Sequence, residues 1–106
     1  MKSTITKAWV YIVECSDHSY YVGSTTDLEG RISDHNTGRY KGYTSSRLPV
    51  ILLWSQEFPD IRYAFEFERN IKKWSRAKKE ALMKGDFELL HLLSRSGYTK
   101  NKDMLK

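Results

Sequence analysis

The sequence predicts a single small α+β domain, with a short three-stranded sheet flanked by helices in the order β-β-α-β-α-α. Three observations predict it. The 106 residues fit one domain, and 40% hydrophobic with 13% aromatic content is enough apolar material for one modest core. Two apolar, β-rich runs near the start are split by a turn signal. The second half of the chain is dominated by helical periodicity.

Ala8–Cys15 carries Trp9, Val10, Tyr11, Ile12 and Val13, and Ser19–Gly23 repeats the character with Tyr20, Tyr21 and Val22. Ser16-Asp17-His18 between them favours a turn, so the pair reads as a β-hairpin. Thr26-Asp27-Leu28-Glu29 fits a capping box that opens a helix running to about Asn36 or Thr37. Gly30 weakens that helix by roughly 1 kcal/mol relative to Ala, and Gly38 ends it. Arg39–Arg47 is a basic loop centred on Gly42. Pro49–Glu57, with Val50, Ile51, Leu52, Leu53 and Trp54, reads as a short buried strand, and Pro59-Asp60 breaks it. From Ile61 or Arg62 to about Met83 the spacing predicts one long helix, with Phe67, Ile71, Trp74, Ala81 and Leu82 along one face. Gly85-Asp86 stops it and caps a last helix, Phe87–Arg95. The domain is placed at residues 1–95, with a core at 8–90 and a flexible polar tail over 96–106.

Composition excludes several classes. No stretch approaches the ~18 consecutive apolar residues of a membrane span, and the first residues lack the apolar run of a signal peptide. A single cysteine, Cys15, rules out an intramolecular disulfide framework or a Cys-based zinc cluster. The expectation is a cytoplasmic protein without a membrane partner, a monomer or a weak homodimer. Eighteen Lys and Arg against 13 Asp and Glu give a net charge of +5, and the excess is clustered. Arg69, Lys72, Lys73, Arg76, Lys78, Lys79 and Lys84 stand against Glu80 alone, and Arg39, Lys41 and Arg47 are interleaved with Tyr40 and Tyr43. Positive charge beside aromatic rings suits a phosphate backbone with bases to stack on; a solvated helix face with incidental tyrosines is the plainer alternative.

Three groups of residues carry candidate chemistry. Glu68 falls between the apolar edge of the long helix and a basic stripe of Arg69, Lys72, Arg76 and Lys79. There it is positioned to hold a cation beside a bound phosphate, or simply to pair with Lys72 one turn on. Glu66 points to the other side. Arg31 and His35 share a helix face four residues apart, a guanidinium for phosphate oxygens beside a group that titrates near neutrality. Tyr11 and Tyr21 lie on neighbouring strands, where pairing brings their hydroxyls together if both face one side.

Taken in order, these residues resemble the GIY-YIG nuclease superfamily. Its first tripeptide appears as Trp9-Val10-Tyr11 and its second as Tyr21-Val22-Gly23. Ser24-Thr25-Thr26-Asp27-Leu28 follows, then Arg31 and His35-Asn36. Tyr43-Thr44, Arg47 and Pro49-Val50 are similar to the connection into the third strand, and Glu68 with Ile71-Lys72 to the segment bearing the metal-binding glutamate. Ser75-Arg76-Ala77-Lys78-Lys79 is similar to the small stand-alone bacterial subgroup, which is related to the N-terminal nuclease domain of an excinuclease. The chain departs from the pattern at Trp9 and Val10, and it has no Asn near Lys79 and Glu80, where some members place a polar active-site group.

The resemblance implies a metal-dependent endonuclease that hydrolyses DNA phosphodiesters, in DNA repair or recombination, with DNA favoured over RNA. The alternative on the same fold is a non-catalytic nucleic-acid-binding module. In the implied mechanism Glu68 holds Mg²⁺ or Mn²⁺, and Arg31 donates to a phosphate oxygen. Tyr11 or Tyr21 orients or deprotonates the attacking water, with Tyr11 favoured as base, Tyr21 as the positioning group and His35 as recipient of the proton. Arg39, Lys41, Tyr43, Arg47, Lys72, Arg76 and Lys79 are the implied nucleic-acid contacts, largely to phosphates. The five catalytic candidates are expected to converge on one side of the sheet, around a solvent-accessible cleft.

Overall fold

The computed structural model describes residues 7–95. These form a three-stranded antiparallel sheet and four helices: β1 (Ala8–Glu14), β2 (Tyr20–Thr25), α1 (Leu28–Asn36), a 3₁₀ turn at Tyr43–Ser46, β3 (Ile51–Phe58), α2 (Ile61–Lys72), α3 (Arg76–Lys84) and α4 (Phe87–Ser94). The α+β class and the strand–strand–helix–strand start stand as the sequence predicts. The tail expected over 96–106 lies outside the described residues. The chain falls into two compact units that part between Lys72 and Lys73.

In the first unit the hairpin turn is made by side chains as much as by backbone. Asp17 Oδ1 accepts from Ser19 N at 3.1 Å and from Ser19 Oγ at 2.6 Å, and His18 takes a left-handed φ of 70°. The strand order is β2-β1-β3, so β1 is central and carries the core: Val10, Tyr11, Ile12 and Val13 are fully buried. Tyr11, Val13, Cys15 and Val50 cluster with Tyr21, Leu28, Ile32 and Leu48, which seats α1 on the Tyr11 face of the sheet. Helix α2 packs across β2 and β1.

Two expectations are corrected here. The apolar run in β3 is not buried: Ile51, Leu52 and Leu53 are 61%, 40% and 41% exposed, because α2 packs chiefly over β2 and β1 and leaves β3 little covered. The long helix is two helices. Lys73-Trp74 turn out of α2, and Ser75, in an extended conformation, accepts from Lys78 N at 3.2 Å as the N-cap of α3. A serine whose hydroxyl competes for backbone N–H groups favours a cap over a helix interior. The basic stripe is therefore divided, Arg69 and Lys72 on α2 and Arg76 and Lys79 on α3.

The cap of α1 is also one residue later than the sequence suggests, with Asp27 accepting from Gly30 N at 3.1 Å. In the second unit Gly85, at φ 73°, closes α3 and Asp86 caps α4 at once, as expected.

Candidate active site

The hairpin register decides how the two tripeptides meet. Tyr11 pairs with Gly23, and Tyr21 pairs with Val13, so Tyr11 and Tyr21 share one face with ring centroids 6.4 Å apart. The Tyr11 ring lies across Gly23. A Cβ on residue 23 would sit 2.6 Å from Cζ of Tyr11 and closer still to its hydroxyl, so only glycine fits beneath it.

Helix α1 delivers Arg31 and His35 to that face. His35 is fully buried: Nε2 lies 3.0 Å from the Tyr11 hydroxyl, and Nδ1 lies 2.7 Å from Oγ1 of Thr44, which is also fully buried. The Tyr21 hydroxyl lies 2.8 Å from that of Tyr40, whose ring packs 4.4 Å from the His35 ring. Arg31 carries its guanidinium 5.0 Å over the Tyr40 ring. Tyr43 stacks on Tyr21 at 6.1 Å.

Glu68 approaches from α2. By alternation Ser24 faces away from Tyr21 and Gly23, and it is Ser24 that donates its hydroxyl proton to Oε1 of Glu68. Glu68 therefore meets the sheet at the rim of β2, 7% exposed, rather than on the tyrosine face. Lys72 pairs with Oε2 at 2.8 Å while its ammonium lies 5.7 Å over the Tyr21 ring, which joins the two sides of the rim.

Burial dominates the electrostatics. It pushes the Tyr11 phenol up to about 12, partly offset by the hydrogen bond and charge of Arg31. Burial drives Tyr21 higher still, and its bond to Tyr40 adds to the effect. His35 is held below the ordinary histidine value by burial first and the Arg31 charge second, so its imidazole is neutral at pH 7. The Glu68 charge acts on both tyrosines, which ties it to the same constellation.

Tyr11, Tyr21, Arg31 and His35 thus come together, with Glu68 at their border. The expected cleft does not reach all of them, for Tyr11 and His35 are sealed and Tyr21 is half-buried. His35 is joined to Tyr11, and Tyr21 has Tyr40 as its partner. Of the nucleic-acid candidates, Arg39 and Lys41 are exposed without an ion pair among the described residues, and Tyr43 is 44% exposed. Arg47 is tied down: it stacks 3.9 Å over Tyr43, donates to Asp17 at 3.0 Å and to the Tyr43 carbonyl at 2.6 Å. Arg76 pairs with Glu80 within α3. Sequence reasoning gave no catalytic role to Ser24, Tyr40 or Thr44: Ser24 and Thr44 stood in stretches similar to the family and Tyr40 among the aromatics of the basic loop, and none of these signals carried a partner.

Residues 7–81 match the family model described as the GIY-YIG catalytic domain. The chain belongs to the GIY-YIG family. A UPF0213 protein of Halobacterium salinarum is 47% identical to it over 73 residues, 69% of this chain and 95% of that relative. A UPF0213 protein of Streptococcus pneumoniae is 42% identical over 77 residues, 73% of this chain and 78% of its own. The solution NMR structure of a UPF0213 protein from Bacillus halodurans matches at 38% identity and a TM-score of 0.50, covering 86% of this chain and all of that one. A solution NMR structure of a protein from E. faecalis matches at 33% identity and a TM-score of 0.54, over 84% of this chain and 93% of that one. The GIY-YIG domain is a nuclease fold, so the tyrosine–histidine–arginine face and its bordering carboxylate are its candidate chemistry.

Glu68 fits a divalent cation of one kind. Among the described residues no three His, Cys, Asp or Glu side chains form a metal cage. A single buried carboxylate that already holds an ammonium against one oxygen is suited to a hard cation that keeps most of its waters, as Mg²⁺ and Mn²⁺ do beside a phosphate.

Proposed function

We propose that this GIY-YIG domain is a divalent-metal-dependent endonuclease hydrolysing phosphodiester bonds of DNA, in a setting such as repair or recombination. One observation carries the proposal: a guanidinium, two tyrosine hydroxyls, a neutral histidine and a buried carboxylate gather around one strand pair. Each has a role in phosphodiester hydrolysis. Arg31 is placed to donate to a non-bridging oxygen, where negative charge grows in the transition state. Glu68 would hold Mg²⁺ or Mn²⁺, which when bound neutralises phosphate charge and stabilises the leaving oxygen. Lys72 would exchange its carboxylate partner for phosphate as the cation takes its place.

Burial favours assigning the tyrosines the reverse of the order implied by resemblance. Tyr11 is sealed from solvent, whereas Tyr21 borders the surface, so Tyr21 orients the attacking water and Tyr11 supports the site through hydrogen bonds. A phenol raised so far above neutrality is a weak base until its proton can leave. The Tyr40 hydroxyl, 2.8 Å from Tyr21 and half-buried, is the first group on the way out: it accepts that proton as it passes its own to solvent. Arg39, Lys41 and Tyr43 offer exposed phosphate and stacking contacts; Lys72, Arg76 and Lys79 add charge, with Arg47 holding Tyr43 in place.

The test is a cleavage assay on labelled single-stranded, duplex and branched DNA and on RNA, with Mg²⁺, Mn²⁺ or chelator. DNA cleavage that needs metal and disappears in Glu68→Ala is expected. A pure protein that binds every substrate and cuts none would make the chain a nucleic-acid-binding module.

A further inference from the structure

Beside Glu68, helix α2 presents an exposed edge that the site described above does not use. At about 100° per residue, Lys72, Phe65 and Arg69 fall within a sector of about 60°, and Glu68 borders it. Phe65 precedes Glu68 by three residues, a spacing that makes side chains neighbours on a helix. Its ring is 53% exposed, and among the described residues no other ring packs against it. The Arg69 guanidinium lies 5.9 Å over that ring and, among the described residues, pairs with no carboxylate. Neither residue serves the core, for α2 buries Ala64, Glu68 and Ile71.

Tyr43, the exposed ring of the basic loop, is already engaged: it stacks on Tyr21 at 6.1 Å and carries Arg47 at 3.9 Å. Phe65, with only the more distant Arg69 against it, keeps ring surface for a ligand. A flat uncharged ring gains by stacking on another π system, and the cations at positions 69 and 72 on either side of it call for negative charge. A nucleotide supplies both. The other acid of α2, Glu66, stands about 100° round the helix from Phe65 and leaves that sector basic. A second copy of this chain is a poor occupant, since it would set guanidinium and ammonium against their own kind in a chain of net charge +5. A regular duplex offers no base face either, because each base in it is covered by its neighbours.

We infer that Phe65 and Arg69 form a stacking platform for an unpaired base beside the reacting phosphate, with Phe65 taking the base and Arg69 the phosphate next to it. The substrate is then DNA with unpaired nucleotides where it is cut, a single strand or an interrupted duplex, and not a fully paired helix. Stacking of this kind tolerates any sequence, because every base has a π face. The inference rests on the nuclease assignment above for its place in the reaction, and names the DNA structure that the site takes. The platform itself requires only that the chain binds nucleic acid.

The test is binding of the full-length protein, in chelator, to a single DNA strand and to a matched duplex of the same length. Affinity is read by fluorescence anisotropy, and stacking by the emission of a fluorescent base analogue within the strand. Phe65→Ala should weaken single-strand binding by about 5- to 100-fold and abolish the analogue's response, with duplex binding within about twofold of wild type. Phe65→Trp should hold the affinity, and Phe65→Leu, apolar but not planar, should fall with Phe65→Ala. Arg69→Gln should weaken single-strand binding and flatten its salt dependence. Phe65 is exposed, so these variants should fold, which circular dichroism checks. Equal losses for strand and duplex, no loss for either, or full affinity in Phe65→Leu overturns the inference, as does a wild-type dimer that Phe65→Ala dissolves. Selective loss of single-strand binding in a protein that cuts nothing sinks the nuclease assignment and leaves the platform standing. Metal-dependent cleavage of paired and unpaired DNA alike does the reverse.

Discussion

Replacing Glu68 with Gln separates the carboxylate's charge from its packing. The amide keeps the shape and can still accept the Ser24 hydroxyl proton, so the buried partner is not orphaned. What disappears is the pair with Lys72 at 2.8 Å, whose side chain is 47% exposed and free to turn to water. An i,i+4 pair with one solvated member contributes about 0.3–0.5 kcal/mol, and the weaker neutral bond to Ser24 adds a comparable loss. The sum stays near or below about 1 kcal/mol, a fall in Tm of less than about 8 °C for a chain of this size. Catalysis should respond on another scale. A lost metal ligand forfeits several kcal/mol of transition-state stabilisation, so the rate should drop by about 100-fold or more. Thermal unfolding by circular dichroism, DNA binding by fluorescence anisotropy in chelator, and cleavage in Mg²⁺ on one preparation test all three parts. Binding should hold or tighten slightly, since a negative charge has left a basic surface. Glu66→Gln, an exposed neighbour on the same helix, is the control. Cleavage by Glu68→Gln within about threefold of wild type would refute the ligand assignment; a collapse in stability would show that the carboxylate is chiefly structural.

Other consequences follow from single contacts. Asn36 clasps the backbone of Val50, donating to its carbonyl at 3.1 Å and accepting from its N–H at 2.7 Å, so Asn36→Asp should set a carboxylate against a carbonyl and cost about 1–3 kcal/mol in urea unfolding; an unchanged midpoint would count against the clasp. His35 is held neutral below its unfolded pKa of about 6.5, so the native state binds fewer protons and stability is full above that pH and lost as pH falls from there. Urea midpoints at pH 7.5 and 5.5 should differ for wild type and differ less for His35→Gln; equal midpoints for wild type would contradict the burial. DNA affinity should fall linearly in log–log plots against salt, and charge reversal at Lys41 or Lys79 should weaken all sequences alike, whereas a preference for one sequence that survives high salt would point to base readout. Arg31→Ala should impair binding and cleavage together, and a variant that cuts normally at saturating DNA would remove Arg31 from the transition state.

The local devices were legible in the sequence and the non-local ones were not. Ser16-Asp17-His18, Gly38 and Gly85-Asp86 act through their own backbone neighbourhoods, so the hairpin, the end of α1 and the junction of α3 with α4 could be read directly. Tyr11, Tyr21, Arg31 and His35 were singled out by strand pairing and helix spacing and joined into one set by family resemblance, and the hairpin register explains why they meet. Burial of Ile51–Leu53 could not be judged from an apolar run, because which strands the helices cover depends on how distant segments pack. The break at Ser75 was a misjudged contest between a continuing apolar period and a capping hydroxyl. Ser24 with Glu68 and Thr44 with His35 had no local signature at all: the first pair is 44 residues apart, and ordinary Ser and Thr gain partners only when the chain has closed.

The close approach of Tyr11 to Gly23 has a consequence for how such sequences diverge. The two tripeptides look like separate signatures, yet what joins them is one cross-strand contact, an aromatic ring lying on a residue that has no side chain. Trp9 and Val10 can stand in place of the Gly and Ile of the family's tripeptide because neither takes part in it. A lineage that acquired alanine at position 23 would have to shed the ring at position 11 or slide the strands, and a slide of one residue turns every side chain of β2 to the other face. Substitutions at these two positions are therefore expected to arrive as pairs or not at all, while Trp9, Val10 and Val22, which carry no chemistry in the site, can change one at a time.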